Sequence, residues 1–179
     1  MDLGLFGKTA LVTGSSKGIG LAIATALQAE GCVVALNGRN SSDLALAKAG
    51  LPGSIAVAGD VSKPEQAKRV VSEALSSLGH LDILICNVGS GQSVPPGHET
   101  AEEWHRVFAL NLWSTTNMVE AAKSALIASS GNIVCISSIC ALEAIPDAPV
   151  TYSAAKAALH AYVRGMARPL SAENVRINA

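Results

Sequence analysis

Short apolar runs alternate with longer segments of mixed polarity along the whole 179-residue chain. Residues 8–13 (KTALVT), 32–37 (CVVALN), 54–58 (SIAVA), 80–87 (HLDILICN), 131–137 (GNIVCIS) and 175–178 (VRIN) are short, aliphatic and bounded by turn-forming residues, which predicts strands. Residues 18–30, 41–49, 62–78, 101–128 and 150–170 carry apolar positions at helical spacing, which predicts helices. Ser62-Lys63-Pro64-Glu65 reads as a helix start, with Ser62 as the cap, proline in the first turn and an acid behind it. Residues 90–100 form a Gly/Pro loop. Strict strand–helix alternation with apolar strands predicts an α/β fold: a doubly wound parallel sheet in three α/β/α layers, with right-handed crossovers. No internal repeat or low-complexity linker divides the chain, so one domain over 1–179 is expected. The VRIN strand stands at the end of the chain, where an open edge leaves backbone unpaired. The expectation is the front portion of a longer protein, or cover from a partner.

Composition narrows the classes. Hydrophobic residues make up 49%, aromatics 3% and charged residues 15%, with 16 glycines. An average domain carries about 25% charged residues. So much apolar surface excludes a disordered chain. A chain of this length buries roughly 70% of its unfolded surface, so it needs no disulfide staples. Thirteen basic and 14 acidic residues give a net charge of -1, which excludes a global field for nucleic acid or an anionic membrane. No apolar stretch is long enough for a membrane span, and residues 1–8 lack the pattern of a signal peptide. Cys32, Cys86 and Cys135 fall inside predicted strands and Cys140 just after one, without metal-ligand spacing. They read as buried, reduced thiols in a cytoplasmic protein. His80, His98, His105 and His160 share no metal spacing either, and Trp104 and Trp113 read as core or interface.

Chemistry enters at the first strand–helix junction, Thr13-Gly14-Ser15-Ser16-Lys17-Gly18-Ile19-Gly20. Glycines there let backbone N–H groups approach a ligand closely, and the helix start favours a pyrophosphate. This is where a dinucleotide fold needs such a turn. Beyond the second strand, the place of the carboxylate that binds an NAD ribose holds Gly38-Arg39. Arg39 can grip a 2′-phosphate in a bidentate fork, and Lys17 adds a second positive charge. NADP(H) is therefore the expected cofactor, with NAD(H) possible. Gly14-Ser15-Ser16-Lys17-Gly18 also matches the G-x-S-x-G elbow of serine hydrolases, with Asp147 and His160 downstream. Against that reading, only 13 residues precede the turn, too few for the strand and loop that complete an oxyanion hole.

Tyr152 and Lys156 stand four apart in a predicted helix and so face one side. A phenol with a pKa of about 10 is a poor acid or base near neutrality. A fixed cation nearby favours the phenolate and tunes the group to exchange a proton with a carbonyl oxygen as hydride moves. Lys156 can also bond the ribose of a nicotinamide.

Together TGSSKGIG, Asn87-Val88-Gly89-Ser90, Ser137-Ser138 and YSAAK at 152–156 resemble the short-chain dehydrogenase/reductase family over essentially the whole chain. The resemblance implies a Rossmann dinucleotide-binding domain that interconverts a carbonyl and a secondary alcohol. It implies a catalytic group of Asn111, Ser138, Tyr152 and Lys156. Ser138 steadies the substrate oxygen, with Ser137 a possible substitute, and Asn111 holds a water in a relay to Lys156. It places Asp60 and Val61 near adenine, and Asn87 and Gly89 along the middle of the cofactor. It also implies subunit interfaces on the helices around 111–128 and 154–167, hence a homodimer or homotetramer. The chain departs from the family in three places. Asn-Asn-Ala-Gly becomes Asn87-Val88-Gly89-Ser90; Ser138 and Tyr152 are 14 apart, one more than is common, so the loop between them bulges; and the family's last strand and substrate lid are expected to be missing. The alternatives are a nucleotide-binding protein without turnover, or a sugar-nucleotide epimerase or dehydratase. The latter also use Tyr and Lys, but with another glycine turn and a larger C-terminal domain.

Overall fold

The computed structural model describes residues 2–179. In chain order the elements are β1 (Thr9–Val12), α1 (Gly18–Ala29), β2 (Val33–Gly38), α2 (Ser41–Gly50), β3 (Ile55–Ala58), α3 (Pro64–Leu78) and β4 (Ile83–Cys86). Then come α4 (Ala101–Phe108), α5 (Ser114–Ser129), β5 (Asn132–Cys135), α6 (Val150–Ala172) and β6 (Arg176–Asn178). The strands form one sheet in the order β3-β2-β1-β4-β5-β6, every pair parallel. Consecutive strands run outward from β1 to β3, then return to start again at β4. The order therefore reverses between β1 and β4, and a crevice opens at their carboxyl ends.

Burial on both faces explains why the strands read as apolar runs. One core layer packs Leu11, Leu84, Ile133 and Val57 under α3, α5 and α6. The other packs Val12, Val34, Leu36 and Ile85 under α1 and α2. Cys86 and Cys135 are register partners in β4 and β5, both buried. The neighbouring Cys135 thiol and burial together push the Cys86 thiol up, so it stays protonated.

Several local expectations are corrected. Ser62 does not cap α3: Lys63 holds the cap position without a side-chain bond, and Ser62 Oγ donates to Asp60 Oδ1 at 2.7 Å. Pro64 does open the helix. The helix expected over 101–128 is interrupted by a π-turn at Ala109–Trp113. Ile139–Ala141 forms a short 3-10 turn. Cys140 is half-buried rather than buried. Helix α6 buries Ala155, Lys156, Leu159 and Val163 but exposes Ala157, Ala161 and Gly165, so one face is open. Among the described residues, no helix is long and apolar enough to cross a membrane.

Candidate active site at the sheet's carboxyl edge

The turn after β1 is built by hydrogen bonds to its neighbours. Ser15 Oγ donates to Val12 O at 2.6 Å and accepts from Asn37 N at 3.0 Å, and Ser15 N donates to Asn37 O at 2.8 Å. From the other side, Asn87 Nδ2 donates to Thr13 O and Gly14 O at 3.0 and 3.1 Å. Asn87 N in turn donates to Thr13 Oγ1 at 2.9 Å. The ends of β1, β2 and β4 are thus stitched together around the turn. Gly14 has φ +61°, a conformation glycine adopts without a steric penalty. Gly20 serves a different need. A Cβ there would overlap the Gly14 carbonyl and Asn87 Nδ2, so only glycine lets α1 seat this close.

This turn forms one wall of a cleft containing about 690 Å³ of space, the open mouth included. Gly14, Ser16, Lys17, Arg39, Asp60, Val61, Asn87 and Gly89 all line it. Among the described residues, Lys17 and Arg39 enter no ion pair. Asp60, in the lining, accepts at Oδ1 from Ser62 N and Oγ, at 3.1 and 2.7 Å.

The cleft continues toward the tyrosine–lysine helix through Gly89. A Cβ at Gly89 would lie 2.8 Å from Asn111 Oδ1 and 3.2 Å from Lys156 Nζ. Lys156 is 3% exposed, and its Nζ donates to Ile136 O at 2.7 Å. Burial pushes this ammonium below the usual lysine range, with Cys135 pulling the other way. The Nζ stands 5.9 Å from the centre of the Tyr152 ring. Lysine and phenol therefore share one side of α6, as their spacing requires.

Asn111 sits in the π-turn, 1% exposed. Its Nδ2 donates to Ser90 O and Val107 O at 3.1 and 3.0 Å, and its Oδ1 accepts from Ser90 N at 3.0 Å. Both amide hydrogens are spent, so one Oδ1 lone pair remains for any further donor. Ser138 follows β5 and caps the 3-10 turn, accepting from Cys140 N at 3.3 Å. Its hydroxyl hydrogen stays available to donate. Ser137 Oγ is buried without a partner.

The structure thus brings eight of the residues expected on the cofactor side around one cleft, and Asn111 and Lys156 approach it at Gly89. Five expected cofactor residues stand apart from the lining: Gly18, with φ +57° and open space around it; Ile19, 64% exposed on α1; Gly20, packed against Gly14 and Asn87; and Tyr152 and Lys156 on α6. Asn37, Gly38, Gly59, Val88, Ser90 and Leu110 line the cleft unforeseen. Gly38, Gly59, Val88, Ser90 and Leu110 stand beside expected residues in the sequence, whereas Asn37 is marked only by its place near the end of β2. The hydrolase alternative finds no triad. Ser16 Oγ lies against Gly38 at the β2 side, whereas His160 faces Val163, Arg164 and Ile177 at the β6 edge.

Comparison with known proteins agrees with this geometry. The family model described as short chain dehydrogenase matches residues 8–179. An uncharacterized oxidoreductase of Methylorubrum extorquens is 36% identical over 180 residues, covering 97% of this chain and 71% of that protein. The crystal structure of L-sorbose reductase from Gluconobacter frateurii, complexed with NADPH and L-sorbose, superposes with a TM-score of 0.93 at 33% identity. That match covers 98% of this chain and 69% of the reductase. An NADH-dependent reductase, A1-R′, complexed with NAD, gives a TM-score of 0.90 at 28% identity, covering 99% of this chain and 79% of that one. With its parallel sheet, glycine turn and tyrosine–lysine helix in place, the chain belongs to the short-chain dehydrogenase family of oxidoreductases.

Proposed function

We propose that this protein transfers hydride between NADP(H) and a carbonyl or secondary alcohol, with Tyr152 as general acid/base. The observation that carries the reading is the meeting at Gly89 of the cleft lined by the glycine turn with the Lys156 ammonium, itself 5.9 Å from the Tyr152 ring. A bound nicotinamide dinucleotide supplies or accepts the hydride; everything else is asked of the chain.

In this reading Gly14, Ser16, Gly18, Ile19 and Gly20 present the turn and helix start to the pyrophosphate. Arg39 and Lys17, both without an ion-pair partner among the described residues, bind the 2′-phosphate. Asp60 and Val61 receive the adenine; Asn87 and Gly89 line the middle of the cofactor. The relatives differ in cofactor, NADPH for the sorbose reductase and NAD for A1-R′. Lys17 and Arg39, which line the cleft together with Gly38, favour NADP(H) here. Ser138 donates its free hydroxyl hydrogen to the substrate oxygen. Tyr152 gives that oxygen a proton in reduction and takes one in oxidation. The Lys156 ammonium, on the same side of α6 as the phenol, holds the nicotinamide ribose beside it. Asn111 offers its remaining Oδ1 lone pair to a relay water. The open face of α6 supports association into a homodimer or homotetramer.

The test is oxidation of NADPH in the presence of a panel of ketones, aldehydes and ketoses, with NADH run alongside. Turnover by the parent and its loss in Tyr152→Phe support the reading. Tight NADPH binding with no turnover on any carbonyl would select the non-catalytic alternative.

A further inference from the structure

The loop between β4 and α4 forms a wall beside Tyr152, and very little of its own backbone holds it there. Between Gly91 and Glu99, the one backbone–backbone hydrogen bond among the described residues runs from His98 N to Pro95 O, at 3.1 Å. Yet Gly91 packs against the catalytic ring: a Cβ there would touch Tyr152 Cε1 and Cζ at 3.9 Å. Side chains do the anchoring. Asn111 grips Ser90 through both backbone groups. Arg106 Nη2 donates to Gln92 O at 2.9 Å. Ser93 Oγ donates to Glu103 Oε1 at 2.6 Å and lies 2.7 Å from Thr151 Oγ1.

The direction of that last bond follows from proton count. Ser93 has one hydroxyl hydrogen and spends it on a carboxylate that can only accept. Thr151 must therefore be the donor to Ser93. The chain runs Thr151 to Ser93 to Glu103, with Arg106 holding both carboxylate oxygens at 2.6 and 2.7 Å. Arg106 and Ser93 keep the Glu103 carboxyl down at about 2, so the acceptor end stays charged. Thr151 is fully buried and directly precedes Tyr152. The clamp thus joins three separate elements: the loop, α4, and the start of α6.

We propose that Glu103 and Arg106 are positioning residues which, through Ser93 and Thr151, hold Ser90–Ser93 against the Tyr152 ring and fix the phenol's place at the cleft. This rests on the oxidoreductase reading for its purpose, but not for its geometry. Surface ion pairs contribute little to stability. The clamp should therefore show itself in ring order and turnover more than in melting temperature.

The chain has two tyrosines, Tyr152 and Tyr162. Labelling with 3-fluorotyrosine gives two 19F resonances, and Tyr152→Phe assigns them. In Ser93→Ala, Glu103→Gln and Thr151→Val the Tyr152 resonance should broaden or shift, while that of Tyr162 stays. Amide exchange at 90–94 should rise at least tenfold, and kcat should fall with the Kd for NADPH unchanged. Ser93→Thr, which keeps the hydroxyl, should restore the parental values. If buried Thr151→Val fails to fold, the two less buried positions read the same clamp. An unmoved Tyr152 resonance with parental exchange in Ser93→Ala and Glu103→Gln would overturn the proposal. A parent protein that reduces no carbonyl would overturn the oxidoreductase reading alone, since resonance and exchange are read without turnover.

Discussion

Asn87 Nδ2 donates to the carbonyl of Gly14 at 3.1 Å, and both groups occupy the space that a Cβ at Gly20 would need. The end of β4 thereby sets the shape of the turn after β1, across the point where the strand order reverses. Asn87→Ala removes two hydrogen bonds of about 1 kcal/mol each. For a chain of this size that lowers Tm by roughly 4–8 °C. Nucleotide affinity should fall as well. Gly20→Ala drives a methyl into the Gly14 carbonyl, an overpacking that costs about 1–3 kcal/mol. Gly18→Ala meets open space and only the left-handed backbone penalty, about 1–2 kcal/mol. Thermal melts with and without NADPH separate them: the ligand-induced rise should shrink more in Gly20→Ala than in Gly18→Ala.

Cofactor choice is read at Arg39. Arg39→Ala should raise the Kd for NADPH at least tenfold, about 1.4 kcal/mol, and leave NADH nearly unchanged. Because the guanidinium is exposed, added salt should weaken NADPH binding more than NADH binding. Isothermal titration with both nucleotides at two salt concentrations checks this. Equal losses for both would show that Arg39 does not face the 2′ position.

Lys156 places function and stability in opposition. A buried ammonium loses several kcal/mol of hydration, against which one bond to the Ile136 carbonyl returns about 1 kcal/mol. Lys156→Met keeps the length and removes the charge. We expect its Tm to be equal to or above the parent's, with turnover reduced more than a hundredfold. Tyr152→Phe should spare NADPH binding and lose at least as much rate. Urea melts beside initial rates test the pair. A Lys156→Met protein that is both less stable and still active would reverse the assignment of this lysine from function to structure.

The sheet is legible in the sequence because burial on both faces leaves no polar position within Leu11–Val12, Val34–Leu36 or Leu84–Cys86. The glycine turn and the Tyr152–Lys156 pair are legible because each lies within a few residues of chain. What hides is what depends on partners distant in sequence. The π-turn leaves the apolar rhythm of 101–128 intact, and its one trace is a polar Asn111 at a core-facing position. Ser62 has the chemistry of a cap, yet Asp60 stands two residues away and takes its hydroxyl first. Ser93, Glu103 and Thr151 are spread over 58 positions, so no window of sequence shows them as one cluster.

At the opposite edge of the sheet, Asp82 governs the response to acid. Burial alone would push its carboxyl up. Hydrogen bonds from Thr9 N at 2.9 Å and Lys8 Nζ at 3.0 Å outweigh that and hold it below the usual aspartate value. His80 Nε2 lies 3.0 Å from Oδ2, the oxygen that Thr9 N also meets. Between the lowered folded value and the unfolded value of about 3.9, the unfolded chain binds more protons than the native one. Stability therefore rises with pH through that window. The contribution is complete above about pH 5 and drains away as pH falls through the folded value. Asp82→Asn keeps an acceptor for Thr9 but removes the charge that Lys8 meets. The gap between parent and variant should be constant above about pH 5, begin to narrow near pH 4 and close only below the folded value. Urea unfolding at pH 3 to 7 measures both curves. A gap that stays constant across that range would mean that Asp82 acts through shape and hydrogen bonding, and that its charge contributes nothing.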